Sequence, residues 1–341
     1  MQLFYSFLKN KVMKFQHIIG ADLSKKSIDL VCHLLQSHVK IENSVLGFKQ
    51  LMKWLQHQKI NPAELLIVME HTGLYSYCFE DFLQAKKIAF TKVNALIIKR
   101  SVGMARGKSD KIDAKRIATY GHEKQDKLII QQKSSKELER LQMLHSIRDK
   151  YVRQKAGLMC SIKEYSNIGL TNKDLVVKSH LDLIKSFDKQ IESLDLQITD
   201  IINSHDSLKR NYDLLISIKG VGKVLAVNTI IKTHNFTKFA NGRKFACFCG
   251  TAPFEHTSGT SIKGKTRVSY LADKRMKTLL DLSAKCAIRT DAELKEFYLK
   301  RVAAGKSKMS TINIVRNKII YRMFSIIKRQ TPFIENYSQV A

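Results

Sequence analysis

The segment "GKSDKIDAKRIA", residues 107 to 118, carries two aspartates, Asp110 and Asp113, three residues apart among lysines and arginines. No other acid occurs until Asp81 upstream and Glu123 downstream, so the pair stands alone in a basic interval. On a helix an i, i+3 pair shares one face, with roughly 5–6 Å between Cβ atoms. Two further acids close strand-like runs: Asp22 in "HIIGADLSKKSIDL" and Glu70 in "AELLIVMEHTG". Two-metal phosphoryl transfer needs three or four carboxylates converging on ions roughly 3.5–4 Å apart, so that attacking and leaving oxygens are both neutralised. An oxygen-only set without histidine suits Mg²⁺, or Mn²⁺ in its place, better than zinc. The neighbouring cations, Lys108 and Lys111 among them, would hold phosphates against the metals. Taken singly, Asp22 reads as a turn cap, Glu70 as a solvated strand end and Asp110 as a helix N-cap. Taken together they read as a site.

The elements that must position these acids alternate. "HIIGADLSKKSIDLVCHLL" reads as strand, tight turn and antiparallel strand, with Asp22 at the first strand's end. "GFKQLMKWLQHQ" has helical period, and a buried strand then delivers Glu70 before a glycine turn. "LYSYCFEDFLQA" is helical, "KIAFTKV" a strand and "NALIIKRSVG" helical, before the helix that Asp110 and Asp113 open. Residues 1–125 are therefore expected to form an α/β domain.

Residues 126–205 read as a helical middle piece. From Ser134 to Tyr165 and from His180 to Asn203 there is no proline, and Leu181, Ile184, Phe187, Ile191, Leu194, Ile198 and Ile201 form an apolar stripe. A helical hairpin or coiled coil fits, with a dimer contact preferred and an intrachain bundle as the plain alternative.

Residues 206–341 carry two signals. "LLISIKGVGKVLAVNTI" matches a helix-hairpin-helix, in which Gly220 and Gly222 make the turn, backbone N–H groups meet a phosphate, and Lys219 and Lys223 add charge. Such a contact positions nucleic acid without reading bases; the plain alternative is a glycine turn between packed helices. "CGTAPFEHTSGTSIKGKTRVS", residues 249–269, is poor in acid and rich in hydroxyls, glycine and cations, among them Lys263, Lys265 and Arg267. It reads as a flexible phosphate-binding loop. Residue types alone do not separate its hydroxyls Thr257, Ser258, Thr260 and Ser261, for which loop capping is the default. "EFYLKRVAAGKSKMSTINIVRNKIIYRMFSIIKR" reads as two basic helices around Gly305.

A formal charge of +29 over 341 residues points to a polyanionic partner, with nucleic acid first. Lys+Arg against Asp+Glu number 20 to 10 in residues 1–125, 13 to 11 in 126–205 and 26 to 9 in 206–341. The two end lobes would thus face nucleic acid while the middle packs on protein. No apolar run spans a bilayer and neither end carries a lipidation motif, which ranks a membrane surface low. Cys32, Cys78, Cys160, Cys247, Cys249 and Cys286 lack paired spacing, which points to a reducing cytoplasm. Cys247 and Cys249 read as buried thiols, and "MKFQHIIGADLS" reads as the natural beginning, with residues 1–12 as an extension.

The order of Asp22 in "GADLSKKSIDL", Glu70 in "VMEHTGLYS" and the pair in "KSDKIDAKRIA" resembles the DEDD-type transposases of bacterial insertion sequences. The resemblance runs from about residue 14 to the end. It implies a RuvC-like, ribonuclease-H-like first domain with a Mg²⁺-dependent site at Asp22, Glu70, Asp110 and Asp113. In that family the second domain has a proline, an acid and a serine–glycine pair whose serine is the nucleophile; Pro253, Glu255, Ser258 and Gly259 match, which implies Ser258. "LADKRMKTLL" stands where many relatives have a glycine–asparagine turn before an arginine, a departure that bears on local DNA contacts. The resemblance further implies strand exchange through a serine-linked DNA phosphate, a structured bridge RNA pairing to both DNAs, and a homo-oligomer, tetrameric at work.

Three readings result: that recombinase, a RuvC-like Holliday-junction endonuclease using water and the acids only, and a non-enzymatic nucleic-acid scaffold. Motif order favours the first.

Overall fold

The structure, a computed structural model, describes residues 15–334 except 72, 102, 104–106, 108, 132–134 and 259–261, and gives the backbone alone for 256–258, 262, 263 and 265. Lys108, Gly259, Thr260, Ser261 and the N-terminal extension lie outside the described residues. The chain divides into two compact units, Met1–Lys133 and Ser134–Ala341.

The first unit is built on a five-stranded sheet in the order β3-β2-β1-β4-β5. β1 (His17–Leu23), β2 (Ser27–Cys32) and β3 (His38–Glu42) form an antiparallel meander, while β4 (Leu65–Glu70) and β5 (Ala89–Val93) add in parallel beyond β1. β1 and β4 are almost continuously apolar because both faces of the sheet centre are covered. On one face Ile19, Ala21, Ile67 and Met69 pack with Phe48, Leu51 and Leu55 of α1 (Val45–His57) and with Phe79 and Leu83 of α2 (Tyr77–Ala85). On the other, Ile18, Leu66, Val68 and Val93 meet Ile98 of α3 (Ala95–Ser101) and Ile117 of α4 (Asp110–Glu123). This mixed sheet between helices agrees with the α/β expectation and is consistent with a RuvC-like domain.

Two local devices place α4. Ser109, rather than Asp110, is its N-cap: the Ser109 hydroxyl accepts from the Ile112 N–H at 3.3 Å, so the Asp110 carboxylate is not spent on capping. Gly20 lets the helix touch the sheet. A Cβ at Gly20 would stand 2.2 Å from the Ala114 carbonyl oxygen and 2.3 Å from the Ala118 nitrogen. Glycine on the strand and alanines on the helix therefore set the depth at which α4 lies.

In the second unit α5 (Lys136–Asn167) and α6 (Leu175–Asn203) pack antiparallel, tied by Arg148 to Asp195, Lys155 to Asp188, and Tyr151 against Phe187 with ring centroids 5.4 Å apart. This is a helical hairpin within the chain. Leu138, Leu141 and Leu144 of α5 and Ile198 and Ile202 of α6 join the main core; Leu181, Ile184, Phe187 and Ile191, nearer the hairpin's turn, are only half-buried.

α7 (Asp206–Ile216), α8 (Lys223–Thr233), α9 (Gly242–Phe248), α10 (Lys274–Thr290), α11 (Ala292–Ala303) and α12 (Lys308–Arg329) complete the helical part, with Gly305 between the last two as the sequence predicts. Residues 249–269 depart from the flexible loop expected. β6 (Pro253–Ser258) and β7 (Ile262–Val268) pair as an antiparallel hairpin with a bulge between Phe254 and His256. Thr257, Ile262, Thr266 and Val268 supply the β-branched side chains that favour an extended backbone, which outweighs the loop-like content of hydroxyls and glycine.

Candidate active site

The sheet register gathers the acids before any side chain is considered. Asp22 on β1 is paired with Asp29 on β2, and Asp29 with Lys40 on β3. β1 and β4 run parallel with Gly20 beside Val68 and Ala21 beside Met69, so one further step sets Asp22 beside Glu70. Because alternate residues of a strand share a face, Asp22 lies on Gly20's side and Glu70 on Val68's, the face that α4 covers. Lys40, Asp29, Asp22 and Glu70 thus form one row across four strands. Asp110 and Asp113, in the first turn of α4, stand respectively one turn and one residue before Ala114, which with Ala118 is seated on Gly20.

Electrostatics reports the same convergence. The Asp22 carboxyl is raised from an ordinary 3.8 to about 6, first by burial, then by the negative charges of Glu70, Asp113, Asp110 and Asp29. Glu70 is raised too, by burial and then by Asp113. Mutual repulsion of this kind marks carboxylates that share a field, and such shifts concentrate at functional sites. Cations answer part of the charge: Arg116 Nη1 donates to Asp113 Oδ1 at 2.8 Å, and Lys40 Nζ lies 3.3 Å from Asp29 Oδ2 and 3.6 Å from Asp110 Oδ2. The pair of carboxylates holds the Lys40 ammonium above its ordinary range, Asp29 most strongly through its hydrogen bond.

The donor chemistry fits a hard divalent cation, since every candidate ligand is a carboxylate and the row leaves them under-neutralised. Among the described residues no three His, Cys, Asp or Glu side chains already stand close enough together to hold an ion. Asp110 and Asp113 are turned to Lys40 and Arg116, so ligation requires side-chain rotation at the helix start.

Of the other predicted residues, Lys108 lies outside the described residues, Lys111 is exposed on α4's first turn, and the rest lie in the second unit. Gly220 and Gly222 form the turn between α7 and α8. Gly220 has φ +87°, and a Cβ there would meet the Ala287 Cβ at 2.7 Å and the Ser283 carbonyl oxygen at 2.8 Å, so the turn needs glycine twice over. Gly222 precedes α8 without a side-chain cap, and Lys219, Gly222 and Lys223 are exposed. Ser258 is the last residue of β6, its backbone opposite Ile262; Lys263 and Lys265 lie on β7, as does Arg267, which is exposed.

Asp29, Lys40, Arg116 and Gly20 were not singled out by the sequence reading. For Asp29 the only signal was pairing across the tight turn at residues 24–26, which sets it opposite Asp22, and Lys40 needed a second such pairing. Gly20 gave no such sign, since its role depends on which helix covers it.

Known proteins match the chain in both of its units. The IS110-type DEDD transposase family matches residues 19–165, and the Transposase IS116/IS110/IS902 family matches residues 212–299. The Pilin gene-inverting protein of Moraxella bovis is 27% identical over 322 residues, covering 92% of this chain and 97% of that protein; its namesake from Moraxella lacunata gives the same identity and coverage. An Insertion element IS110 protein of Streptomyces coelicolor is 24% identical over 163 residues, 48% of this chain and 39% of its own length. A DEDD-type domain implies use of a divalent metal, and no helix among the described residues is long and apolar enough to cross a membrane. With both family matches in chain order, and with the first spanning the strands and helix that gather Asp22, Glu70, Asp110 and Asp113, this chain belongs to the IS110-type DEDD transposases and is an enzyme that acts on DNA.

Proposed function

We propose that this chain is a serine-dependent DNA recombinase whose Asp22, Glu70, Asp110 and Asp113 hold Mg²⁺, or Mn²⁺ in its place, and whose Ser258 is the nucleophile. The observation that carries the reading is the row in which Asp22 and Glu70 stand side by side beneath the first turn of α4. A bound divalent ion would supply Lewis-acid charge at the scissile phosphate and ease ionisation of a hydroxyl. Ser258 Oγ forms a bond to phosphorus as the bond to one deoxyribose oxygen breaks; the serine gives up its proton and the departing oxygen takes one up. The linkage keeps the energy of the broken phosphodiester, so a second strand's hydroxyl can rejoin it without ATP. Ser258, from this chain or a second copy, has to be delivered to the acids in the DNA-bound assembly. The relatives' names speak of gene inversion and of insertion elements, two outcomes of one cut-and-rejoin chemistry.

Sequence choice falls, in this reading, to a structured guide RNA, and a homo-oligomer, dimer or tetramer, brings two DNAs together. Lys108, Lys111, Lys263, Lys265 and Arg267 then contact backbone phosphates. The Gly220–Gly222 turn with Lys219 and Lys223 serves as a helix-hairpin-helix phosphate contact. Lys223→Ala is expected to weaken binding evenly across sequences and to lower the salt dependence of log K by about one; a loss confined to some sequences would instead make Lys223 a base-reading residue.

The decisive experiment is Ser258→Ala on a labelled element end. The wild-type chain is expected to yield a covalent protein–DNA adduct resistant to denaturant, and the variant none, with nucleic-acid binding retained. Cleavage that persists in the variant would favour the endonuclease reading, in which water and the acid row suffice.

A further inference from the structure

Lys40 closes the row on the β3 side, and its surroundings are unequal. Asp29, its register partner, has a side chain only 4% exposed, with His38 Nε2 on Oδ1 at 2.8 Å and Lys40 Nζ at 3.3 Å from Oδ2. A carboxylate so far from water must keep charged or hydrogen-bonding partners, so Asp29 acts as an anchor that fixes where the ammonium stands. Asp110 is the opposite case: its side chain is 65% exposed at a helix start, yet its Oδ2 lies 3.6 Å from the same ammonium. The lysine therefore spans from the buried sheet to the most loosely held acid of the cluster.

We propose that Lys40, anchored by Asp29, is a positioning residue of the acid cluster that draws Asp110 toward the sheet and, as a fixed positive charge beside the carboxylates, weakens their hold on divalent cations. The inference rests on the acids being the divalent-ion site. Its physical content is a competition. An ammonium and a divalent cation seek the same carboxylate oxygen, and two like charges a few ångströms apart repel even where water screens them.

The test is Mn²⁺ titration of the full-length chain without nucleic acid, followed by calorimetry or by the electron paramagnetic resonance of free Mn²⁺. Lys40→Met is expected to bind Mn²⁺ roughly 3- to 10-fold more tightly than wild type, and Lys40→Arg to match wild type. In an Asp110→Asn background the gain should shrink to the share left by plain charge repulsion, because the competition for a shared oxygen runs through that carboxylate. Unchanged or weaker binding by Lys40→Met would overturn the proposal, as would an undiminished gain in the Asp110→Asn background. Should Lys40→Met melt too low to titrate, Lys40→Gln carries the same expected sign. Failure of the underlying site reading looks different: Asp22→Asn would leave Mn²⁺ binding intact, and the Lys40 inference would fall with it.

Discussion

Gly20→Ala is expected to destabilise the chain and to cut strand cleavage on DNA by about 100-fold or more, although Gly20 has no chemistry of its own. The added Cβ would sit 2.2 Å from the Ala114 carbonyl oxygen and 2.3 Å from the Ala118 nitrogen. Both are helix backbone, so no rotamer change relieves the contact. β1 is hydrogen-bonded to β2 and β4 on either side, which leaves α4 as the element that has to move. Overpacking of this kind costs about 1–3 kcal/mol, occasionally more. The functional cost is separate and larger. A displaced α4 carries Asp110 and Asp113 away from Asp22 and Glu70, which stay with the sheet, and a misplacement of about 1 Å costs on the order of 100-fold in rate. Thermal melts and a cleavage assay on the same preparation check both parts. Gly157→Ala is the control: it is an exposed position of α5 whose would-be Cβ meets nothing within 4 Å beyond its own helix backbone, and it is expected to stabilise by about 1 kcal/mol. A Gly20→Ala chain that melts and cleaves like wild type would mean that α4 is not held at this depth.

What the sequence disclosed of this site follows from the range of the physics involved. Asp22, Glu70, Asp110 and Asp113 were legible because each stands where a local pattern changes: an apolar run ending in an acid, or an acid opening a helical period. Asp29 was hidden within "SIDLVC", where it looks like one polar residue in a buried strand; only pairing across the turn sets it against Asp22. Lys40 needs a second such step. Gly20 needs a helix some ninety residues further on, and no local rule reaches that far. The hairpin at 253–268 shows the opposite error. Composition suggested a loop, but strand pairing can override composition where β-branched residues alternate with polar ones. The α6 stripe was visible as a helix signal, whereas its division between the core at Ile198 and Ile202 and the half-buried face at Phe187 and Ile191 was not, because the period alone does not tell which turns meet a second layer.

Asp22→Asn is expected to move stability and activity in opposite directions. The Asp22 carboxyl titrates at about 6 in the folded chain against 3.8 for an ordinary aspartate, so the native state holds its proton more firmly than the unfolded chain does. Below about pH 4 both states are protonated and Asp22 has no bearing on stability. As pH rises toward 6 the unfolded chain ionises first and gains, and above 6 the native state bears the full penalty of an ionised, part-buried carboxylate among like charges. Unscreened, about two pKa steps would correspond to about 3 kcal/mol; for a half-buried carboxyl, solvent screening leaves a smaller effect. Asparagine keeps the shape and removes the charge. The variant should therefore melt above wild type at pH 7 to 8, with the gap closing as the pH is lowered through 6. Divalent cations reverse the comparison, since an ion that binds only the native wild type raises its melting temperature by mass action and has much less to hold in the variant. Strand cleavage by Asp22→Asn should fall to background at every pH. A residue kept for the fold would behave otherwise: its replacement would lower the melting temperature at neutral pH, and that result would remove Asp22 from the proposed reaction centre and assign it to packing.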